Sequence, residues 1–261
     1  MNKAKRVKLK EKLKEIFNDL VFDEINHVYS LKSKPNFEFS TSASKTAEKY
    51  ASNQFDEKYW AQREAVKTGE TIEEVIKRWR QKREDAQKRG NEIHKELENY
   101  TNDNRRKASP LTKSINKWFI ENGFRLIVNE LRIYDEENKI CGTLDKLAYN
   151  INDGCFYIFD YKTNREKKLD KVETYIDKVT GELKKSKFLM KFPFDTYPDS
   201  KYYKYSIQLS IYKYILEKKT DIKIKGLKLI HISDIIYPET GFKVIDAELM
   251  NVDLIFNVKK K

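Results

Sequence analysis

The sequence predicts an α/β protein with a mixed central sheet: a helix, a three-strand antiparallel meander, a second helix and a further strand, preceded by helical N-terminal additions. Apolar residues recur at helical spacing through two segments before residue 123, and from Phe124 the period changes to alternation over three successive runs. Helical spacing then returns after residue 200 and gives way again to alternation. Across 261 residues there is no Pro/Gly/Ser-rich stretch long enough to separate two cores, which predicts a single domain over 1–261.

Leu9, Leu13, Ile16, Phe17 and Leu20 fall on one helical face, predicting a docking helix rather than a basic tail. After a polar and aromatic stretch around His27 and Tyr29, the run Ser40 to Ser44 suits the cap of a helix beginning near Thr41 or Ser42. Thr71 and Glu74 form a capping box ahead of Ile72, Val75, Ile76, Trp79, Ala86, Ile93, Leu97 and Tyr100, predicting one helix over 72–100 that only Gly90 weakens. Ser109 and Pro110 open the next helix, which buries Leu111, Ile115, Trp118 and Phe119 and stops at Gly123. Strands follow at 124–134, 140–149 and 155–163, joined by the turn formers of 135–138 and 152–154. An insertion over 164–200 precedes a helix at 202–218 and strands at 226–232 and 242–249. Residues 1–69 form the N-terminal helical addition and 70–250 the core.

Lysines and arginines number 53 against 41 carboxylates, a net charge of +12, which attracts polyanions and makes nucleic acid the first partner to consider. A lysine-rich chain from an AT-rich genome fits the same composition. Only two cysteines are present, Cys141 and Cys155, both in predicted strands, so neither an iron-sulfur cluster nor a four-thiolate zinc site can form. No apolar run is long enough to span a membrane, and the start of the chain alternates Lys and Glu instead of forming a signal-peptide core. A reducing, cytoplasmic setting is expected.

In Phe159-Asp160-Tyr161-Lys162, alternation projects Asp160 and Lys162 together and turns Tyr161 away. A two-residue hairpin loop at Asp153-Gly154 sets Asp145 opposite Lys162 and diagonal to Asp160; the turn at 135–138 similarly sets Glu130 beside Thr143 on that face. Three carboxylates that converge repel unless a hard cation neutralises them, and Mg²⁺ or Mn²⁺ takes such oxygen ligands. Gly142 would allow a backbone to approach closely. As a bare pattern, Asp160 with Lys162 also fits an ordinary ion pair, and His94, beside the Ile93/Leu97 stripe, fits a core-edge histidine.

At these residues the chain resembles the RecB-like branch of the PD-(D/E)XK nuclease superfamily, in particular phage exonucleases and the mitochondrial genome-maintenance exonuclease. The resemblance rests on an ordered set: 90–98 around His94, Glu130, Gly142-Thr143-Leu144-Asp145, Asp160-Tyr161-Lys162, and Gln208 to Tyr212. It covers roughly 90–232 and more loosely His27, Tyr29, Ser40 and Ser42. It implies a restriction-endonuclease-like core and a metal held by His94, Asp145, Asp160 and the Tyr161 carbonyl. It further implies Lys162 as the catalytic lysine, Glu130 as a site carboxylate, and Gln208 and Tyr212 as residues supporting the site or touching DNA. The implied activity is Mg²⁺- or Mn²⁺-dependent hydrolysis of DNA, exonucleolytic and favouring single strands, in a prokaryotic or phage-infected cell. A structure-specific or RNA-directed endonuclease and a non-catalytic binding module are the alternatives. Aromatics and lysines interleaved from Phe192 to Tyr197 and from Lys201 to Tyr205 suit an unpaired strand, whose bases stack on rings. Taken singly, each ring also fits plain packing.

Overall fold

A computed structural model of the chain describes residues 1–23, 26, 28–52, 55–100, 106–165, 168–176 and 181–256. His27 lies outside them. The chain runs α1 (Lys3–Ile16), β1 (Leu20–Asp23), β2 (Val28–Leu31), β3 (Thr41–Ser42), α2 (Ala43–Lys49), α3 (Glu57–Thr68) and α4 (Ile72–Glu98). It continues with α5 (Pro110–Glu121), β4 (Phe124–Asp135), β5 (Ile140–Asn150), β6 (Phe156–Lys162), β7 (Thr174–Ile176), β8 (Leu183–Lys185), α6 (Lys201–Lys219), β9 (Ile224–Ile232), β10 (Phe242–Asp246) and α7 (Asp253–Phe256).

The predicted caps hold. Thr71 and Glu74 bond reciprocally, Ser109 accepts from the Thr112 amide with Pro110 in the first turn, and Ser42 caps α2 by accepting from Lys45. Gly123 ends α5 with a positive φ of 77°.

The sheet is mixed. β4 with β5, β5 with β6 and β9 with β10 are antiparallel, whereas β6 with β9 and β3 with β5 are parallel. Strand order is β10-β9-β6-β5-β3, with β4 also paired to β5. α6 links the parallel neighbours β6 and β9, as a parallel pair requires a long crossover. β4 pairs along the length of β5. On the other edge of β5, Ile140 and Cys141 pair with β3 and residues 146–149 pair with β6, while among the described residues 142–145 have no strand partner there. That interruption opens the site.

Helices cover both faces. α6 packs Ile207, Leu209, Ile211, Ile215 and Leu216 into one core with β4, β5 and the N-terminal elements; Leu97 of α4 and Ile115 and Phe119 of α5 pack with Phe124, Phe159, Tyr161 and Ile230 into the other. α6 is buried nearly all round because the chain after β10 closes over it: the amides of Glu248 and Met250 donate to the Ser206 and Ser210 hydroxyls.

The N-terminal segment differs from the expected helical addition. It carries strands β1 to β3 as well as helices, and its Leu13, Phe17, Leu20, Leu31, Ala43 and Ala47 belong to the α6-side core. α1 docks as expected, but it ends at Ile16, so Phe17 caps it and Leu20 starts a strand. Cys141 is buried in β5, where burial pushes its thiol up to about 12; Cys155 sits just before β6, half-buried in the turn. No helix among the described residues is long and apolar enough to cross a membrane.

Candidate active site

The two hairpins fix which carboxylates meet. Asn150 Oδ1 accepts from the Asn152 amide and the Asn150 carbonyl from the Gly154 amide, with Gly154 at φ 72°, so the loop takes residues 151–154 and Asn150 bonds back to Cys155. The ladder therefore pairs Lys146 with Phe159, two residues away from the expected register, and Asp145 comes opposite Asp160 rather than Lys162. The turn before β5 is displaced in the same sense. Asp135 Oδ1 accepts from the Glu137 amide and Oδ2 from Asn138, Asp135 pairs with Ile140, and Glu130 falls opposite Asp145, not Thr143. Around the site both displacements are of two residues, so Glu130, Asp145, Asp160 and Lys162 keep their predicted face, while a register shift between Leu126 and Val128 alters the pairing before it.

At the fork between β5 and β6, a side chain replaces the ladder. Asp145 Oδ2 accepts from the Tyr161 amide at 2.7 Å and lies 3.6 Å from His94 Nδ1. A strand residue directs its N–H and C=O to the same side, so the Tyr161 carbonyl also faces this fork. Glu130, between the pairs Asn129/Lys146 and Leu131/Leu144, adopts φ 47°, a strained value for a side chain of its kind. One donor atom each from His94, Glu130 and Asp145 lies within 4.8 Å of the others. Asp160 stands outside that group. Its Oδ2 is 2.6 Å from Lys162 Nζ and its Oδ1 accepts from Gln208 Nε2 at 3.2 Å.

Charge is concentrated under low solvation here. Burial, with Asp160 beside it, pushes the Asp145 carboxyl up; burial, with Asp145, Glu98 and Asp160 nearby, pushes Glu130 up further. Burial works against the Lys162 ammonium, but Asp160, Tyr205 and Asp145 outweigh it and hold the lysine above its usual value. Lys162 stays a cation. The neighbouring Lys146, on the other face, is pulled down to about 8 by burial, against the pull of Asp145 and Glu130.

α6 supplies the supporting layer. Gln208 Nε2 also bonds the Tyr212 hydroxyl at 3.0 Å, and its Oε1 accepts from Lys162 Nζ at 3.3 Å, so one amide orients Asp160, Lys162 and Tyr212. Gly142 does accommodate a close approach, by a ring and not by a backbone: a Cβ there would lie 2.7 Å from Tyr212 Cε1. Gly90 has the same kind of reason, since a Cβ would meet Thr163 Oγ1 at 3.0 Å where α4 crosses the end of β6. Tyr29 bonds Thr143 at 3.1 Å, drawing the N-terminal hairpin onto the site strand. Beyond Lys162, His231 Nε2 bonds the Asn164 carbonyl at 2.7 Å and Nδ1 faces the Tyr237 hydroxyl at 3.0 Å, which pins the exit of β6.

Tyr205, expected only among the aromatics that suit an unpaired strand, instead places its ring 4.2 Å under Lys162 Nζ and bonds Asn164 through its hydroxyl. Its signal was position: one turn before Gln208, hence on the same helical face. The interleaved aromatics divide. Phe194, Tyr202 and Tyr203 are buried and Tyr197 packs on Tyr203 with the rings tilted at 51°, so most pack the insertion down, while Phe188 and Phe192 project into solvent among Lys185, Lys187 and Lys191. A concavity lined by Ser44, Lys45, Glu48, Lys204, Tyr205 and Gln208 adjoins this supporting layer. No protein-family model matches the sequence, and no curated protein matches it.

Proposed function

We propose that this chain is a metal-dependent DNA nuclease with a restriction-endonuclease-like core of the RecB-like PD-(D/E)XK kind, acting from the ends of single strands. One observation carries the reading: His94, Glu130 and Asp145 offer three donors within 4.8 Å, beside an Asp160–Lys162 pair held by Gln208. Their chemistry, one imidazole and two carboxylates whose pKa values are raised by burial and by neighbouring carboxylates, fits Mg²⁺ or better Mn²⁺. His94, Glu130 and Asp145 would hold the ion, with Asp160 and the Tyr161 carbonyl at its margin. When bound, such an ion supplies Lewis acidity toward a phosphoryl oxygen and acidifies water.

The chain's own residues do the rest. Lys162, held charged, stabilises negative charge developing on the phosphoryl group and is no proton acceptor at neutral pH. Gln208 fixes the direction of Asp160 and Lys162, and Tyr212 fixes Gln208. The net charge of +12, with Phe188 and Phe192 exposed among lysines, favours a polyanion with unstacked bases.

Metal binding is expected to depend on pH. In the metal-free fold, Glu130 and Asp145 keep protons at pH values where the unfolded chain has released them, so stability falls as pH rises above the ordinary carboxylate range. A divalent ion replaces those protons, so its stabilising effect grows over that range. Mn²⁺ about 100-fold above its Kd should add ~2.7 kcal/mol, and the rise in Tm should be larger at pH 8 than at pH 6. Equal rises at both would remove these carboxyls from the ligand set. His94→Ala should raise the Mn²⁺ concentration for half-maximal stabilisation at least about tenfold; an unchanged midpoint would return His94 to packing.

The functional test is a panel of end-labelled linear single-stranded DNA, the same strand circularised, blunt duplex and RNA, each with Mn²⁺ and with chelator. Linear single strands should be degraded fastest, circles little, and the rate should fall steeply with salt. Equal cutting of circles would make the enzyme an endonuclease, preferential cutting of RNA would redirect it, and binding without cutting would leave a non-catalytic module.

A further inference from the structure

Lys146 follows Asp145 but faces the opposite side of the sheet, toward α5. It is buried, its Nζ 4.6 Å from the Phe119 ring and 5.6 Å from the Tyr161 ring. Among the described residues no carboxylate forms an ion pair with it and no hydrogen bond engages its ammonium. The ammonium meets two ring faces but no hydrogen-bond acceptor, with Asp145 and Glu130 acting on it only from a distance, and an anion in the adjoining cavity would supply that acceptor.

The surroundings supply the rest of a site. Lys146 lines a cavity of about 380 Å³ together with Arg6 of α1 and Arg125 and Asn129 of β4, and among the described residues no Asp or Glu lines it. Arg6 Nε and Asn129 Oδ1 are buried without hydrogen-bond partners. Among the described residues Arg125 bonds through Nη1, to the Ile120 and Phe124 carbonyls. Phe119 walls the interior, and Ile120 and Leu126, both exposed apolar side chains, flank the opening. Three cations without a carboxylate select a multiply charged anion, and a guanidinium pairs with phosphate through two parallel bonds. Apolar walls at the mouth select a flat body on that anion, and a lone acceptor on Asn129 calls for an N–H donor on that body. The volume suits a small ligand.

We propose that this cavity binds a nucleoside monophosphate, its phosphate among Lys146, Arg6 and Arg125 and its base against Ile120 and Leu126. The site is separate from the carboxylate cluster and does not rest on the nuclease reading.

Calorimetric titration of the whole chain with AMP, inorganic phosphate and adenosine, in chelator, tests it. AMP should bind, phosphate alone at least about tenfold more weakly, and adenosine not measurably, since charge-assisted bonds dominate. Lys146→Met keeps the apolar stem, and Arg6→Gln changes a helix residue outside the core; with folds checked by circular dichroism, each should weaken AMP at least about tenfold. His94→Ala should bind AMP like the wild type. Failure of AMP to bind, phosphate or adenosine binding as tightly as AMP, wild-type affinity in both Lys146→Met and Arg6→Gln, or loss of binding in His94→Ala would overturn the assignment.

Discussion

Lys162→Ala should lower DNA cleavage by about 10²–10³-fold or more, the loss that follows when one preorganised stabiliser of developing charge is removed. The loss should appear in kcat, because the ammonium acts on charge that develops in the reaction and not on ground-state binding. Stability should fall as well, since the buried Asp160 loses its cation, but the loss of rate should be seen in the folded fraction. Lys162 is partly accessible, and removing it leaves Asp160 with its Gln208 bond, though without the cation 2.6 Å away. Lys162→Met separates charge from packing, since it keeps the stem above the Tyr205 ring and should be as inactive as the alanine variant. Single-turnover cleavage alongside chemical denaturation measures both; a methionine variant of wild-type rate would take Lys162 out of the chemistry.

Gly142→Ala should have the largest effect on stability for the smallest change in sequence. The added methyl would sit 2.7 Å from Tyr212 Cε1 and 3.1 Å from its hydroxyl, and Tyr212 is buried with nowhere to retreat. Overpacking of this kind costs about 1–3 kcal/mol. The strain has a direction. Displacing Tyr212 disturbs Gln208, and through it Asp160 and Lys162, so activity should fall beyond what the loss of folded protein accounts for. In the Tyr212→Leu background the clash is gone, and Gly142→Ala should become nearly neutral. A double-mutant cycle by urea denaturation reads this coupling. Additive effects would show that the ring does not rest on the glycine.

The frame of the molecule was legible because its signals are local. The capping box at Thr71, the Ser109-Pro110 start, the stop at Gly123 and the alternation from Phe124 each act through neighbouring residues, and each lies where expected. Strand pairing is different, since it depends on how many residues a turn consumes. Side-chain bonds by Asn150 and Asp135 lengthened both loops, and only the period of two kept the right residues on the right face. α3 escaped notice because its inward residues are the small Ala61 and Ala65, while Tyr59, Trp60 and Val66 are exposed, which reverses the usual stripe. β1 and β2 are four residues each, too short to show a period. In the site, Asp145, Asp160, Lys162 and Gln208 come together as the ordered motifs imply. The grouping of Glu130 with His94 and Asp145 depends on register and on a backbone angle that no local pattern records.

The most direct measurement compares wild type with Asp145→Asn on end-labelled linear single-stranded DNA in Mn²⁺, with folding of both checked by circular dichroism. Asp145 is the residue that bonds the Tyr161 amide, approaches His94 and completes the donor group with Glu130. Wild type should shorten the strand in Mn²⁺ and stop on addition of chelator, and folded Asp145→Asn should leave it intact. Degradation by Asp145→Asn at the wild-type rate, or an intact strand after incubation with folded, Mn²⁺-saturated wild type, would contradict the nuclease reading.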